Sequence, residues 1–480
     1  MMTGGSEVGI ATEAVKPVGQ SDPDTSAPHI VAPPWSGEHA EETSTCGVPA
    51  PGQGGRLATR RRTNKVDIDA LADLYERCAG IDVHKEAVTV CVIRPGTGGS
   101  VQGEMASYGT TTRELRQLSQ WLQECGVTDV VMESTGVYWR PVWQILEAGG
   151  FHLWLANAKQ VRNMPGRKTD QADAVWLATL LRKGLIKGSF IPPPQIRALP
   201  DLCRSRASLV RDRTRVVQRI EKVLEEANIK LDTLASDLMG VGSRMMLEEL
   251  IKGETDTTKI AELALGRMRP KIPQLVEALE GYFRPHQTFL LKQLLNQFDD
   301  LCRRIENFEQ QIEQYARPFD KQMARLDAVP GIDRLSAAAI LSETGVETEP
   351  FPTPEQFCRW ATIAPGNNKS AGKQRTGKIG KGNRWLRGSL TQCAWAATHD
   401  KKSYFAAQYR RLLHRGKQRA LVAVAHSMLA AIWHMLTRDV EYHELGADYF
   451  EKQNLEGLKK TYLKKLERLG FKVSLEPITV

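Results

Sequence analysis

The chain has 480 residues, more than one ordinary domain holds and suited to two or three. A hydrophobic fraction of 41% is enough to build cores, and a net charge of +9 favours a polyanionic partner over an acidic-surface role. The eight cysteines contain no C-x-x-C pair, which argues against a zinc site and reads as reduced core thiols of a cytoplasmic protein. Neither a membrane span nor a secretory leader is expected, for want of an apolar run of about 18 residues and of a charged start followed by an apolar block.

Residues 1–70 are rich in Gly, Pro, Ser, Thr and Glu and read as a disordered tail. It ends in the basic cluster Arg60, Arg61, Arg62 and Lys65, which fits a solvated linker as well as a DNA-touching arm. Residues 75–190 read as an α/β domain. Short strands are expected at Cys78–Asp82, Ala87–Arg94 and Ser100–Tyr108, and a helix at Thr111–Glu124. A strand at Asp129–Glu133, a helix near Pro141–Ala148, a strand at Phe151–Leu155 and a helix at Asp170–Arg182 follow. Three strands, then helix, strand, helix, strand, helix, is the order of a ribonuclease-H-like fold.

Residues 196–322 read as a helical, coiled-coil middle. Leu291, Leu294, Phe298, Leu301, Ile305, Phe308, Ile312 and Tyr315 alternate spacings of three and four, an a/d seam. Leu209, Val216 and Val223, spaced by seven, could supply the partner seam within the chain; a coil between chains fits equally. Residues 323–445 read as a mainly α-helical C-terminal domain. It opens on Val329-Pro330-Gly331-Ile332, which fits a helix-hairpin-helix offering backbone N–H groups to a phosphate, or a plain helical hairpin. Residues 446–480 are a C-terminal extension.

Four acids stand at element ends. Asp82 closes the first strand and Glu133 a later one; Asp170 and Asp173, at i and i+3, share one helix face. Gathered together, such carboxylates suit Mg²⁺, a hard cation with oxygen ligands, and phosphodiester cleavage is served by a pair of such ions. Taken singly, each acid is as well explained by a solvated strand end or a helix cap. His84 is a surface or packing histidine on this reading.

The basic charge is local. From Cys358 to Ala420 stand fifteen Lys or Arg against one acid, Asp400, so that window carries +14 and the rest of the chain −5. Within it, Gly366–Arg387 holds seven Lys or Arg and five glycines with no acid, a loop that lets backbone approach phosphates. Ser370 lies in that field. Lys369, Lys373, Arg375, Lys378, Lys381, Asn383 and Arg387, with Lys168 near the acidic helix, are the expected nucleic-acid contacts. No base adjoins Ser370 in sequence, so locally a phosphate contact and a nucleophile are both open.

GIDVHK (80–85), MESTGVYW (132–139), GRKTDQADA (166–174), VPGI (329–332), IAPGNNKSAGKQRTGKIGKGNRWLR (363–387) and GKQRALVAVAHSML (416–429) occur in one order. In these pieces the chain resembles transposases of the insertion-sequence one-ten family, closer to its eleven-eleven subgroup, over roughly residues 78–440. The resemblance implies a RuvC-like nuclease domain with Asp82, Glu133, Asp170 and Asp173 as the acidic set. It implies Mg²⁺, two ions per site with Mn²⁺ as an alternative, and Ser370 as covalent nucleophile. It further implies DNA as substrate, a structured non-coding guide RNA, and a homo-oligomer, a dimer of dimers, in which the serine of one subunit completes the metal site of another. A RuvC-like junction nuclease using activated water, and a non-catalytic nucleic-acid-binding protein, are the competing readings.

Overall fold

The N-terminal region opens on three antiparallel strands, β1 (Cys78–Val83), the β-branched β2 (Ala87–Pro95) and β3 (Val101–Gly109). After α1 (Thr112–Glu124), β4 (Asp129–Glu133) pairs parallel to β1; after α2 (Trp139–Ala148), β5 (His152–Ala156) pairs parallel to β4. The sheet order is β3-β2-β1-β4-β5, the mixed sheet of a ribonuclease-H-like fold. The computed structural model describes residues 72–96, 100–134, 136–157, 161, 170–365, 368–370, 373–376, 379–380 and 382–474, without the side chains of 170–172, 368–370, 373–376, 456 and 458. It divides into two compact units, one running to Gln195 and one from Ile196 onward.

Strand alternation sorts the first unit into layers. Ala79, Ile81, Val83, Val130 and Met132 face one way, onto Leu115, Leu118 and Leu122 of α1 and Val142 and Leu146 of α2. Cys78, Cys91, Ile93 and Val131 face the other way, onto Ala174, Leu177, Ala178 and Leu181 of α3 (Asp170–Arg182). Helices thus cover both faces.

In the second unit, α4 (Leu199–Glu226) and α5 (Pro285–Ala316) lie side by side. They run antiparallel, since Arg206 meets Glu309 while Arg213 meets Phe298 and Cys302. The seam expected on α5 is largely inward: Leu291, Leu301, Ile305 and Ile312 are buried, and Val216, Ile220 and Val223 of α4 share a core with Leu291, Leu295 and Leu301. Tyr315 is exposed and Ala316 is buried in its place, because a straight helix of 3.6 residues per turn drifts off a strict heptad. What is seen is an antiparallel helix pair inside one chain, with short helices between residues 231 and 279 packed on it.

Past α5 come α6 (Asp320–Asp327) and α7 (Arg334–Thr344), joined through the Val-Pro-Gly-Ile turn. Gly331 has φ +84°, and a Cβ there would lie 2.3 Å from the carbonyl oxygen of Cys393, so this turn is pressed onto α9 (Arg384–Ala397). Between α8 (Pro354–Trp360) and α9 lies a hairpin of β6 (Asn368–Ser370) and β7 (Lys373–Thr376). Then follow α10 (Tyr404–Leu412), α11 (Lys417–Arg438), α12 (Tyr449–Gln453) and α13 (Leu455–Arg468).

The expectation of no long apolar run needs correction at α11. Residues 420–437 contain no Asp, Glu, Lys or Arg, and the helix is long and apolar enough to cross a membrane by length and composition. Its physical reason is internal: α11 packs against α8, α9 and α10, and eleven of its residues are buried. A helix surrounded by others is apolar all round.

Candidate active site

Glycine decides the geometry of the first site. A Cβ on Gly80 would lie 2.3 Å from the carbonyl oxygen of Ala174 and 2.4 Å from the amide nitrogen of Ala178. The backbone of α3 therefore rests directly on β1, which no larger residue permits. Cys78 Sγ lies 3.6 Å from the Ala178 carbonyl, so α3 runs back along β1 as β1 advances. Two residues beyond Gly80, on the same face, comes Asp82; the turn of α3 at that level is the one carrying Asp170 and Asp173. On the neighbouring strand, Ile81 is paired with Met132, so the next step sets Asp82 beside Glu133. Two strand ends and one helix start thus converge at one edge of the sheet.

Asp82 is 14% exposed and accepts a hydrogen bond from His84 Nε2 at 3.0 Å. His84, read from sequence as incidental, is therefore a partner that orients an acid of the set, and the Asp-x-His spacing was its signal. Glu133 and Asp173 are half-buried; the side chain of Asp170 lies outside the described residues. Among the described residues no three His, Cys, Asp or Glu side chains are grouped closely enough to hold a metal. Were Asp82, Glu133, Asp170 and Asp173 to act together, their donors would all be carboxylate oxygens, which suit a hard cation such as Mg²⁺ or Mn²⁺.

The second site belongs to the second unit. Ser370 is the last residue of β6, paired with Lys373 of β7, so the backbone sets it at a hairpin end with Lys369, Lys373 and Arg375 on the same two strands. Lys168, Lys378 and Lys381 lie outside the described residues. The two ends of the serine segment are pinned together at Thr362, which has φ +57°; a Cβ on Gly382 would lie 1.9 Å from its Oγ1.

Asn383, expected as a nucleic-acid contact, caps α9: its Oδ1 accepts from the amides of Trp385 and Leu386 at 3.0 and 3.2 Å. Its Nδ2 donates to Glu343 Oε2 at 2.5 Å, and Arg204 grips the same carboxylate with two bonds of 2.7 Å. Glu343 is 5% exposed, so this is a satisfied, nearly buried network fixing where the serine segment re-enters the helical body. Sequence reasoning passed over Arg204 and Glu343, which lie 139 residues apart. Arg387 donates to the Gly380 carbonyl at 3.1 Å, bracing the same re-entry.

Comparison with known proteins adds the following. A DEDD family model described as "Transposase" matches residues 79–229, and one described as "Transposase IS116/IS110/IS902 family" matches residues 323–410. The transposase for insertion sequence element IS1111A of Coxiella burnetii (strain RSA 493 / Nine Mile phase I) is 24% identical over 400 residues, covering 80% of this chain and 93% of that one. Two Thermus thermophilus RuvC structures, one in complex with a Holliday junction substrate, are 15% and 16% identical and cover 24% of this chain, with TM-scores of 0.19 and 0.18; each is covered to 99%.

Proposed function

We infer, for a chain that belongs to the IS110 family of transposases in its two matched regions and is homologous to the IS1111A transposase, that it moves an insertion sequence by cutting and rejoining DNA. Its tools on this reading are the acids Asp82, Glu133, Asp170 and Asp173 and the nucleophile Ser370. The observation that carries it is the approach of α3 to β1 at Gly80, which brings the acidic turn of α3 to the ends of β1 and β4. Four acids gathered at one edge, as this reading has them, would repel unless a cation shared their charge, which is why the reading includes a divalent metal.

Asp82, Glu133, Asp170 and Asp173 would hold Mg²⁺, or Mn²⁺ in its place, as a pair of ions. When bound, the ions would supply charge to a developing phosphorane and lower the pKa of the attacking and leaving oxygens. His84 holds Asp82 in a fixed orientation. The lysines and Arg375 of the hairpin neutralise the phosphate that Ser370 attacks. In that attack a bond forms between Oγ and phosphorus while the bond from phosphorus to one sugar oxygen breaks. The serine proton departs and the leaving oxygen gains one. The phosphodiester energy is kept in the serine ester, so the reverse attack by another sugar hydroxyl rejoins DNA without an added energy source. Target choice by a structured guide RNA, and assembly as a dimer of dimers, complete the proposal; base pairing would then carry the sequence specificity.

The deciding experiment incubates the purified chain with donor DNA, the RNA of the element's flank and Mg²⁺, and looks for a protease-sensitive protein–DNA adduct. Wild type is expected to form it and Ser370→Ala to lose it, with cleavage lost in Asp82→Ala and Asp173→Ala. Equal cleavage without adduct in wild type and Ser370→Ala would replace this reading by a hydrolytic, junction-type nuclease.

A further inference from the structure

The second unit holds a cavity of ≈ 380 Å³ at the base of the serine segment. Ile363, Pro365 and Ile379, from the two ends of that segment, form one wall. Residues of α10, α11 and the turn 413–415 between them form most of the rest, with Phe450 of α12. No part of the proposed strand-cutting chemistry uses it.

Its lining separates into three zones. Arg411, Arg415 and Arg419 supply charge, and among the described lining residues there is no carboxylate. The rim therefore suits an anion, and guanidinium groups suit phosphate by their planar, forked donors. Arg411 also stacks over the Phe450 ring at 4.9 Å, which holds its charge at the mouth. The walls, Ile363, Ile379, Leu412, Ala420 and Ala423, are apolar and admit a flat ring. Gln408, His426 and Ser427 add hydrogen-bonding groups in this apolar setting.

Gln408 is the telling residue. It is only 9% exposed, and its Nε2 donates to Ser427 Oγ at 2.8 Å. Its Oε1 is buried with no partner among the described residues. An unpartnered acceptor on a residue that lines the cavity favours an occupant that brings a hydrogen-bond donor. Beside it, burial holds the His426 imidazole below its ordinary pKa, so at neutral pH it is uncharged and can both donate and accept.

A phosphate-seeking rim, apolar walls and hydrogen-bonding groups, in a space of this size at the base of the serine segment, match one ligand chemistry. We propose that the cavity receives one unpaired nucleotide, turned out of the DNA strand that meets the serine hairpin, with its phosphate at Arg411 and Arg419 and its base edge at Gln408. The inference rests on the functional reading above. Turning out a base beside the cut phosphate would hold the strand in place while the other end is exchanged, at the cost of one lost stacking and pairing interaction.

The test uses the full chain with the RNA of the element's flank and element-end duplexes carrying 2-aminopurine singly at each position flanking the cut, and RNA strands of equivalent sequence carrying the same probe as a second arm. Binding is followed by anisotropy and base unstacking by 2-aminopurine fluorescence. Wild type is expected to raise the fluorescence several-fold at about one DNA position. Ala423→Trp, which fills the cavity, and Arg419→Ala, at the exposed rim where the fold is not at risk, are expected to abolish or weaken that rise while DNA remains bound. Tight DNA binding with no rise at any position, or a rise unchanged in both variants, overturns the nucleotide pocket and leaves the functional reading standing. A response confined to RNA overturns the assignment to the cut strand. Absence of DNA binding by wild type overturns the functional reading, and this inference with it.

Discussion

Gly80 shows how much one hydrogen atom in place of a methyl can decide. With the Ala174 and Ala178 backbone only 2.3–2.4 Å from where a Cβ would stand, Gly80→Ala must push α3 off β1. The expected cost is about 1–3 kcal/mol for overpacking, with a larger fractional loss of DNA cleavage, because Asp170 and Asp173 travel with α3. Thermal melting and cleavage measured together check it; a variant of wild-type stability and activity would show that the helix does not set the acids. The four candidate acids stand at element ends that period-2 and helical patterning locate in the sequence, but the patterning alone explains each as well by a solvated strand end or a helix cap, and only the resemblance joins them. Gly80 was only part of a motif there: that it is needed follows from a helix 94 residues downstream, which no local pattern reveals. Asn383 is the converse case. A polar residue in a basic loop reads as a phosphate contact, but the same side chain one residue before a helix is what a helix start requires.

At the scale of elements, α11 is the part of the molecule whose character composition hid. Its run of residues 420–437, free of Asp, Glu, Lys and Arg, is interrupted by His426, Ser427 and His434, so it is not a continuous apolar stretch in sequence. Both histidines are held below their ordinary pKa, His426 by burial and His434 by burial and then Arg438. The unfolded chain therefore takes up protons as pH falls below about 6.5 while the folded helix resists them. Stability from these two sites is complete above that pH and declines below it, by at most about 1.4 kcal/mol per pH unit for each. The carboxylates of Asp439 and Glu313 are held down by Arg325 and Arg334, so their contribution is lost only in a lower window, below about pH 4. Melting temperature should thus fall between pH 7.5 and 5.5, and His434→Leu should flatten that fall; an equal slope in the variant would place the titration elsewhere. The helix pair α4 and α5 was the easier element. A sustained seam announces itself, yet sequence could not say whether its partner was the same chain.

For the whole molecule, the uneven charge matters more than its total. A window of +14 set against a remainder of −5 confines the attraction for a polyanion to the second unit's serine region. Binding to DNA should weaken steeply with salt, the logarithm of affinity falling by about 0.9 per phosphate contact for each unit of log salt concentration. Replacing Lys369 and Lys373 together by Ala should lower that slope by about one to two contacts, measured by anisotropy across salt. An unchanged slope would move the footprint off the hairpin. The order of strands and helices in the first unit could be read almost whole from the sequence, because each element is short and bounded by turns. The second unit could not, since its contacts join residues such as Arg204 and Glu343 that are far apart in the chain.

The seven described cysteines are all free, and all but Cys302 are buried. Cys78, Cys91 and Cys125 sit in the sheet unit and Cys203, Cys302, Cys358 and Cys393 in the helical one. With Cys46 changed to serine, the chain becomes a set of silent chemical clocks. A thiol-reactive dye can strike the buried ones only when their surroundings part, and mass spectrometry of the tagged peptides would then read, unit by unit, the order in which this molecule opens.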